Sequence, residues 1–82
     1  MVKKITKTPN FLRQLKKLDR SYYSRVEKII IKIIENPKLG KPMMYARKGT
    51  RELHLPPFRL SYHYNEKLDI LTLLDIYHKD KQ

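Results

Sequence analysis

Two periodicities divide the chain. From Thr8 to Asn36 apolar residues recur every three or four positions, and from Arg51 onward they alternate. Phe11, Leu12, Leu15 and Leu18 form one stripe at helical spacing, behind Thr8 as a cap and Pro9 at the first helical position, which predicts a helix over 9–18. Asp19-Arg20-Ser21 interrupts the stripe. Tyr22, Val26, Ile29, Ile30, Ile33 and Ile34 then mark one side of a second helix ending near Asn36-Pro37, with Arg25, Glu27, Lys28, Lys32 and Glu35 elsewhere on its surface. The run IIIKII has strand propensity, but the i, i+3, i+4, i+7 spacing and the length favour a helix.

Residues 2–7, VKKITK, read as a short strand whose lysines suit a sheet edge. Residues 37–50 hold both glycines and two prolines and read as an irregular basic connection. After it come three strands: RELHL, then FRLSYHY beyond Pro56-Pro57, then LDILTLLDIY beyond Asn65-Glu66-Lys67, most simply an antiparallel meander. Phe58, Leu60, Tyr62 and Tyr64 share one face of the middle strand, opposite Arg59, Ser61 and His63. With Leu53 and Leu55 also turned to the helices, Glu52, His54, Arg59, Ser61 and His63 converge on the open face. The last strand is apolar on both faces, as a central strand would be, with Asp75 and Tyr77 on one parity and His78 on the other. The expected architecture is α+β and two-layered: an N-terminal helical hairpin packed on a curved, mainly antiparallel four-stranded sheet in the order β-α-α-β-β-β.

Length and composition narrow the class. Eighty-two residues make one domain, 1–82, whose small core must bury roughly 60–65% of the unfolded surface. With no cysteine, disulfides and thiolate chemistry are excluded and a cytoplasmic setting is expected. No stretch approaches the ~18 apolar residues of a membrane span, so no membrane partner is expected. Nineteen Lys/Arg against eight Asp/Glu give a net charge of +11, a field that draws polyanions. Residues 1–18 carry six of these cations and 36–51 five, with no acid in either segment.

The candidate chemistry follows from the open face. Three scattered histidines lack a metal-ligand spacing, and no phosphate loop or nucleophile elbow is present, so neither metal nor cofactor is expected. His54, Arg59 and His63, with His78 and Lys79 near the end of the adjacent strand, suit cleavage of RNA by its own 2′-hydroxyl. That reaction needs a base, an acid and positive charge on the phosphorane. Histidine can transfer the protons and arginine can hold the phosphate oxygens bidentately. The alternative reading of His54 and His63 is that they are strand residues facing solvent.

The end of helix one in LKKLD, the ENP closing helix two, and RELHLPPFRLSYHYNEKLDILTLLDIYHK together resemble the RelE/ParE toxin superfamily over nearly the whole chain. RELH is similar to the corresponding stretch of the YafQ branch, and FRLSY to the RelE signature YRLVY. The resemblance implies a toxin of a type II toxin-antitoxin system: a ribosome-dependent, metal-independent endoribonuclease (mRNA interferase) that cleaves mRNA in the A site and leaves a 2′,3′-cyclic phosphate. It also implies a RelB/DinJ-like antitoxin that wraps the toxin. Carried over by position, Arg59 takes the phosphate-stabilising role, and His54 and His78 are the candidates for proton transfer. Lys79, Arg51, Arg47 and Lys48 would bind RNA phosphate, and Tyr77 or Tyr45 would stack or act as acid. The chain departs from the family in having Glu52 where RelE has a lysine, Pro56-Pro57 where YafQ has an aspartate, and no tyrosine after Tyr77. Two rivals remain: a ParE-like inhibitor of DNA gyrase without nuclease activity, and a catalytically silent basic domain that binds RNA or antitoxin.

Overall fold

The computed structural model describes residues 2–44 and 49–81. Its elements are β1 (Lys4–Lys7), α1 (Pro9–Lys17), a 3-10 turn (Arg20–Tyr22), α2 (Tyr23–Glu35), β2 (Lys41–Pro42), β3 (Arg51–Leu55), β4 (Phe58–Asn65), β5 (Ile70–His78) and a closing 3-10 turn (Lys79–Lys81). The two helices cover one face of a mixed sheet of order β1-β5-β4-β3-β2, in which only β1 and β5 run parallel. The α+β two-layer architecture is therefore as expected, with one correction: the sheet has five strands rather than four. The added strand is the two-residue β2, inside the segment expected to be irregular. Its Lys41 and Pro42 pair with Glu52 and Arg51, and a strand of two residues including a proline leaves no alternation to read.

Local chemistry explains the element ends. Thr8 is extended and its Oγ1 accepts the Phe11 N–H at 3.0 Å, with Pro9 opening α1 where no N–H is needed. Leu18 is already extended, so α1 stops one residue short of the expected 9–18. Asp19 accepts the Ser21 N–H at 2.9 Å and starts the 3-10 turn that delays α2 to Tyr23. Hydrogen bonding by Ser21 holds the Asp19 carboxyl below its usual pKa.

Phe11, Val26 and Ile33 from the helices meet Leu55, Leu60, Tyr62, Leu71, Leu73 and Ile76 from the sheet in one core. Strict alternation could not turn Leu71, Leu73 and Ile76 to the same side. A β-bulge solves this: Ser61 pairs with Asp75 but Tyr62 with Leu73, leaving Leu74 as the extra residue. The bulge reverses the parity of β5, so Leu71 and Leu73 face the helices on one side of it and Ile76 does so on the other. Leu74 O accepts Thr8 Oγ1 at 3.0 Å and Asn10 Nδ2 at 3.2 Å, so the residue that caps α1 also holds the bulge.

Candidate functional site

The bulge places Asp75 and Tyr77 on the face away from the helices, beside the polar residues of β3 and β4. In the ladder His54 stands opposite Arg59, and Arg59 opposite Tyr77. Residues directly opposite share a face, so these three form a row across three adjacent strands. A second row runs Lys41, Glu52, Ser61, Asp75 across four. His63 lies on the same face farther along β4, opposite Thr72.

The two rows are tied together by Glu52. Its Oε2 accepts the Tyr77 hydroxyl, and its Oε1 lies 3.5 Å from Arg59 Nη1. The Glu52 side chain is 4% exposed and that of Arg59 30%. Both line a hollow of about 290 Å³ whose other walls are Lys41, Pro42, Met43 and Met44. His54, at the end of the first row, is exposed. The site thus offers an accessible imidazole, a half-buried guanidinium and a phenol, the last two joined through one buried carboxylate.

The remaining candidates are placed elsewhere. His78 falls in the row Leu55, Phe58, His78 on the helix side, its ring edge-to-face with Phe58 at 5.6 Å and its Nδ1 accepting the Asp80 N–H at 3.2 Å. It lines a separate cleft with Gln14, Lys17 and Asp19. Arg51 is paired with Tyr62 and turns to the helix side, donating from Nη1 to Gly40 O at 2.8 Å and Lys38 O at 3.2 Å. Lys79 is exposed in the closing turn, its N–H bonded to Pro57 O at 3.0 Å. Tyr45, Arg47 and Lys48 lie outside the described residues. Among the described residues, no group of three or more His, Cys, Asp or Glu could hold a metal ion, and no helix is long and apolar enough to cross a membrane.

Glu52 is the site residue that sequence reasoning left without a role. Its alternation with Leu53 put it on the open face, but nothing in the sequence marks it as buried or as the partner of Tyr77, which is 25 positions away.

Residues 5–82 match the family described as the ParE toxin of type II toxin-antitoxin systems, parDE. The chain belongs to this family. The toxin fold is also that of solved relatives. The toxin-antitoxin complex RelBE2 from Mycobacterium tuberculosis matches with a TM-score of 0.85 at 21% identity, over 96% of this chain and 100% of that one. The intact Escherichia coli RelBE complex matches at 0.77 and 13% identity, over 90% of this chain and 93% of that one. YafQ from E. coli matches at 0.72 and 19% identity, over 94% and 93%. At these identities the likeness establishes the fold. No curated protein sequence matches the toxin.

Proposed function

We propose that this toxin is a metal-independent endoribonuclease that cuts mRNA in the ribosomal A site. The observation that carries the reading is the row His54, Arg59, Tyr77 on the uncovered sheet face, beside a hollow that Lys41 also lines. His54 takes the proton of the 2′-hydroxyl as that oxygen attacks phosphorus. Arg59 neutralises the phosphorane, the bond to the 5′-oxygen breaks, and Tyr77 supplies the proton for that leaving oxygen. The products are a 2′,3′-cyclic phosphate and a 5′-hydroxyl. His78, facing the helices, stays outside this set, and Arg51 keeps the segment before β2 in place.

Ribosome dependence fits a site with few groups to orient a substrate. Holding the 2′-oxygen in line with phosphorus is worth up to about 7–11 kcal/mol at its limit, and the decoding site would supply that order. The charge of +11 favours docking on ribosomal RNA. In the cytoplasm a RelB/DinJ-like antitoxin would silence the toxin. Ile5 and Ile31, 39% and 53% exposed, line a groove between β1 and α2 where an apolar antitoxin segment could be buried.

One observation favours a second reading. Arg59 and Tyr77 are both engaged by Glu52, which suits a binding poison such as a gyrase inhibitor better than an open catalytic site. Toeprinting of translating ribosomes with purified toxin, run beside a gyrase supercoiling assay, separates the two. A-site cuts without an effect on supercoiling support the nuclease. Blocked supercoiling without cuts supports the gyrase inhibitor, and neither effect leaves a silent binding domain.

A further inference from the structure

The sheet face left open by the helices contains a buried acid. Glu52 is 5% exposed, in a chain with more than twice as many cations as acids. Taking a carboxylate out of water is unfavourable unless partners replace the water, and Tyr77 and Arg59 are among those that do so here. The Tyr77 hydroxyl donates to Oε2, whereas Arg59 Nη1 stands 3.5 Å from Oε1, well beyond the ~2.7–2.9 Å of a good charged hydrogen bond.

The inward pose of Arg59 carries a further cost. Its Nε is buried without a hydrogen-bond partner among the described residues. An unpaired buried donor is unfavourable, so one long ion pair holds the guanidinium in a position that leaves part of its fork unused. That fork matches a phosphate, whose oxygens can take two of its N–H groups at once. The hollow beside it, walled by Lys41 as well, is where an anion would enter.

We propose that Glu52 is an internal stand-in for the substrate phosphate. While the site is empty it keeps Arg59 folded inward, and a phosphodiester entering the hollow displaces it, drawing the guanidinium out and pairing its idle donors. An incoming anion must outcompete a carboxylate already in place. A lone phosphate is therefore held poorly, and a polyanion anchored at several points is held well, which makes Glu52 a selectivity residue. That the ligand is RNA rests on the function proposed above; the exchange at Arg59 does not.

The test is a double-mutant cycle read by binding. A 2′-O-methyl RNA trinucleotide keeps the phosphodiester but cannot be cut by its own 2′-oxygen. It is titrated against wild type, Glu52→Gln, Arg59→Ala and the double variant, with the Arg59 Nε–H resonance followed by NMR. Releasing a partly exposed ion pair predicts that Glu52→Gln tightens binding about twofold to fivefold. In the Arg59→Ala background the same change should do much less, since a mere rise in net charge would act equally in both. Equal tightening in both backgrounds, no tightening, or no shift of the Arg59 resonance on binding overturns the proposal. Should Glu52→Gln fail to fold, Glu52→Asp, too short to keep the Arg59 contact, goes through the same cycle, and the same results support or overturn the exchange. Cleavage is measured separately, so a cycle that behaves as expected in a toxin that cuts no RNA retains this inference and refutes the nuclease.

Discussion

Tyr62 ties the segment between α2 and β2 to the sheet, and removing one oxygen from it should be costly. The residue is fully buried in β4. Its hydroxyl accepts the Gly40 N–H at 2.8 Å and donates to Pro37 O at 2.8 Å. Gly40 is small because it must be: a Cβ there would lie 2.7 Å from that hydroxyl and 3.0 Å from Glu52 O. Burial pushes the Tyr62 pKa up despite the hydrogen bond from Gly40. In Tyr62→Phe the ring and its packing stay, while the Gly40 N–H loses its partner inside the protein. An orphaned buried donor costs about 1–3 kcal/mol, and the bond to Pro37 O, which water can partly replace, adds about 0.5–1.5. A loss of about 2–3 kcal/mol is expected, equivalent to a fall in Tm of roughly 10–20 °C for a domain of this size. Urea unfolding of the two proteins measures it, with the slope expected unchanged. A loss below about 0.5 kcal/mol, the range of an indifferent surface change, would mean that the hydroxyl does not tether this segment.

Thr8→Ala removes both the cap of α1 and a partner of the bulge carbonyl, so a loss of about 1–2 kcal/mol is expected in urea unfolding, largely restored by Thr8→Ser. Raised tyrosine pKa values predict alkaline sensitivity. Tyr62 is raised by burial and Tyr64 by its hydrogen bond to the Asp69 carboxylate, so the folded state holds these protons more tightly than the unfolded chain. Their contribution is fully present below about pH 10 and is lost as pH climbs toward the folded values. Denaturation midpoints against pH, with tyrosinate absorbance, should show Tyr62 ionising only as the protein unfolds. Binding of the non-cleavable trinucleotide should weaken with salt, with a log–log slope of about −1.4 if both of its phosphodiesters are neutralised, and a flat dependence would mean that phosphate contacts do not hold it.

The layers of the fold were legible because each has its own period. Helical stripes ran from Phe11 to Leu18 and from Tyr22 to Ile34, and alternation carried β3 and β4. The edge position of β1 and the central position of β5 could also be read, one from its lysines and the other from apolar residues of both parities. β2 could not, since its two residues form a strand only through the partner across from them. The bulge at Leu74 was equally hidden, because an extra residue in an apolar run leaves the composition unchanged and shifts the parity. The site divides in the same way. Alternation was enough to put His54 and Arg59 together. The ladder register was needed to add Tyr77 and to send His78 to the far side, and side-chain packing was needed to show Glu52 as the group joining Arg59 to Tyr77.

Whether Arg59 and His54 cut RNA on the ribosome is tested most directly by toeprinting with wild type, Arg59→Ala and His54→Ala on translating ribosomes from the source organism. Discrete A-site cuts are expected from the wild type. Losing the phosphorane-stabilising cation should slow cutting by about 100-fold to 1,000-fold, and losing a proton-transfer group by at least about 100-fold. No cutting by the folded wild type, or full cutting by both variants, would contradict the proposed nuclease.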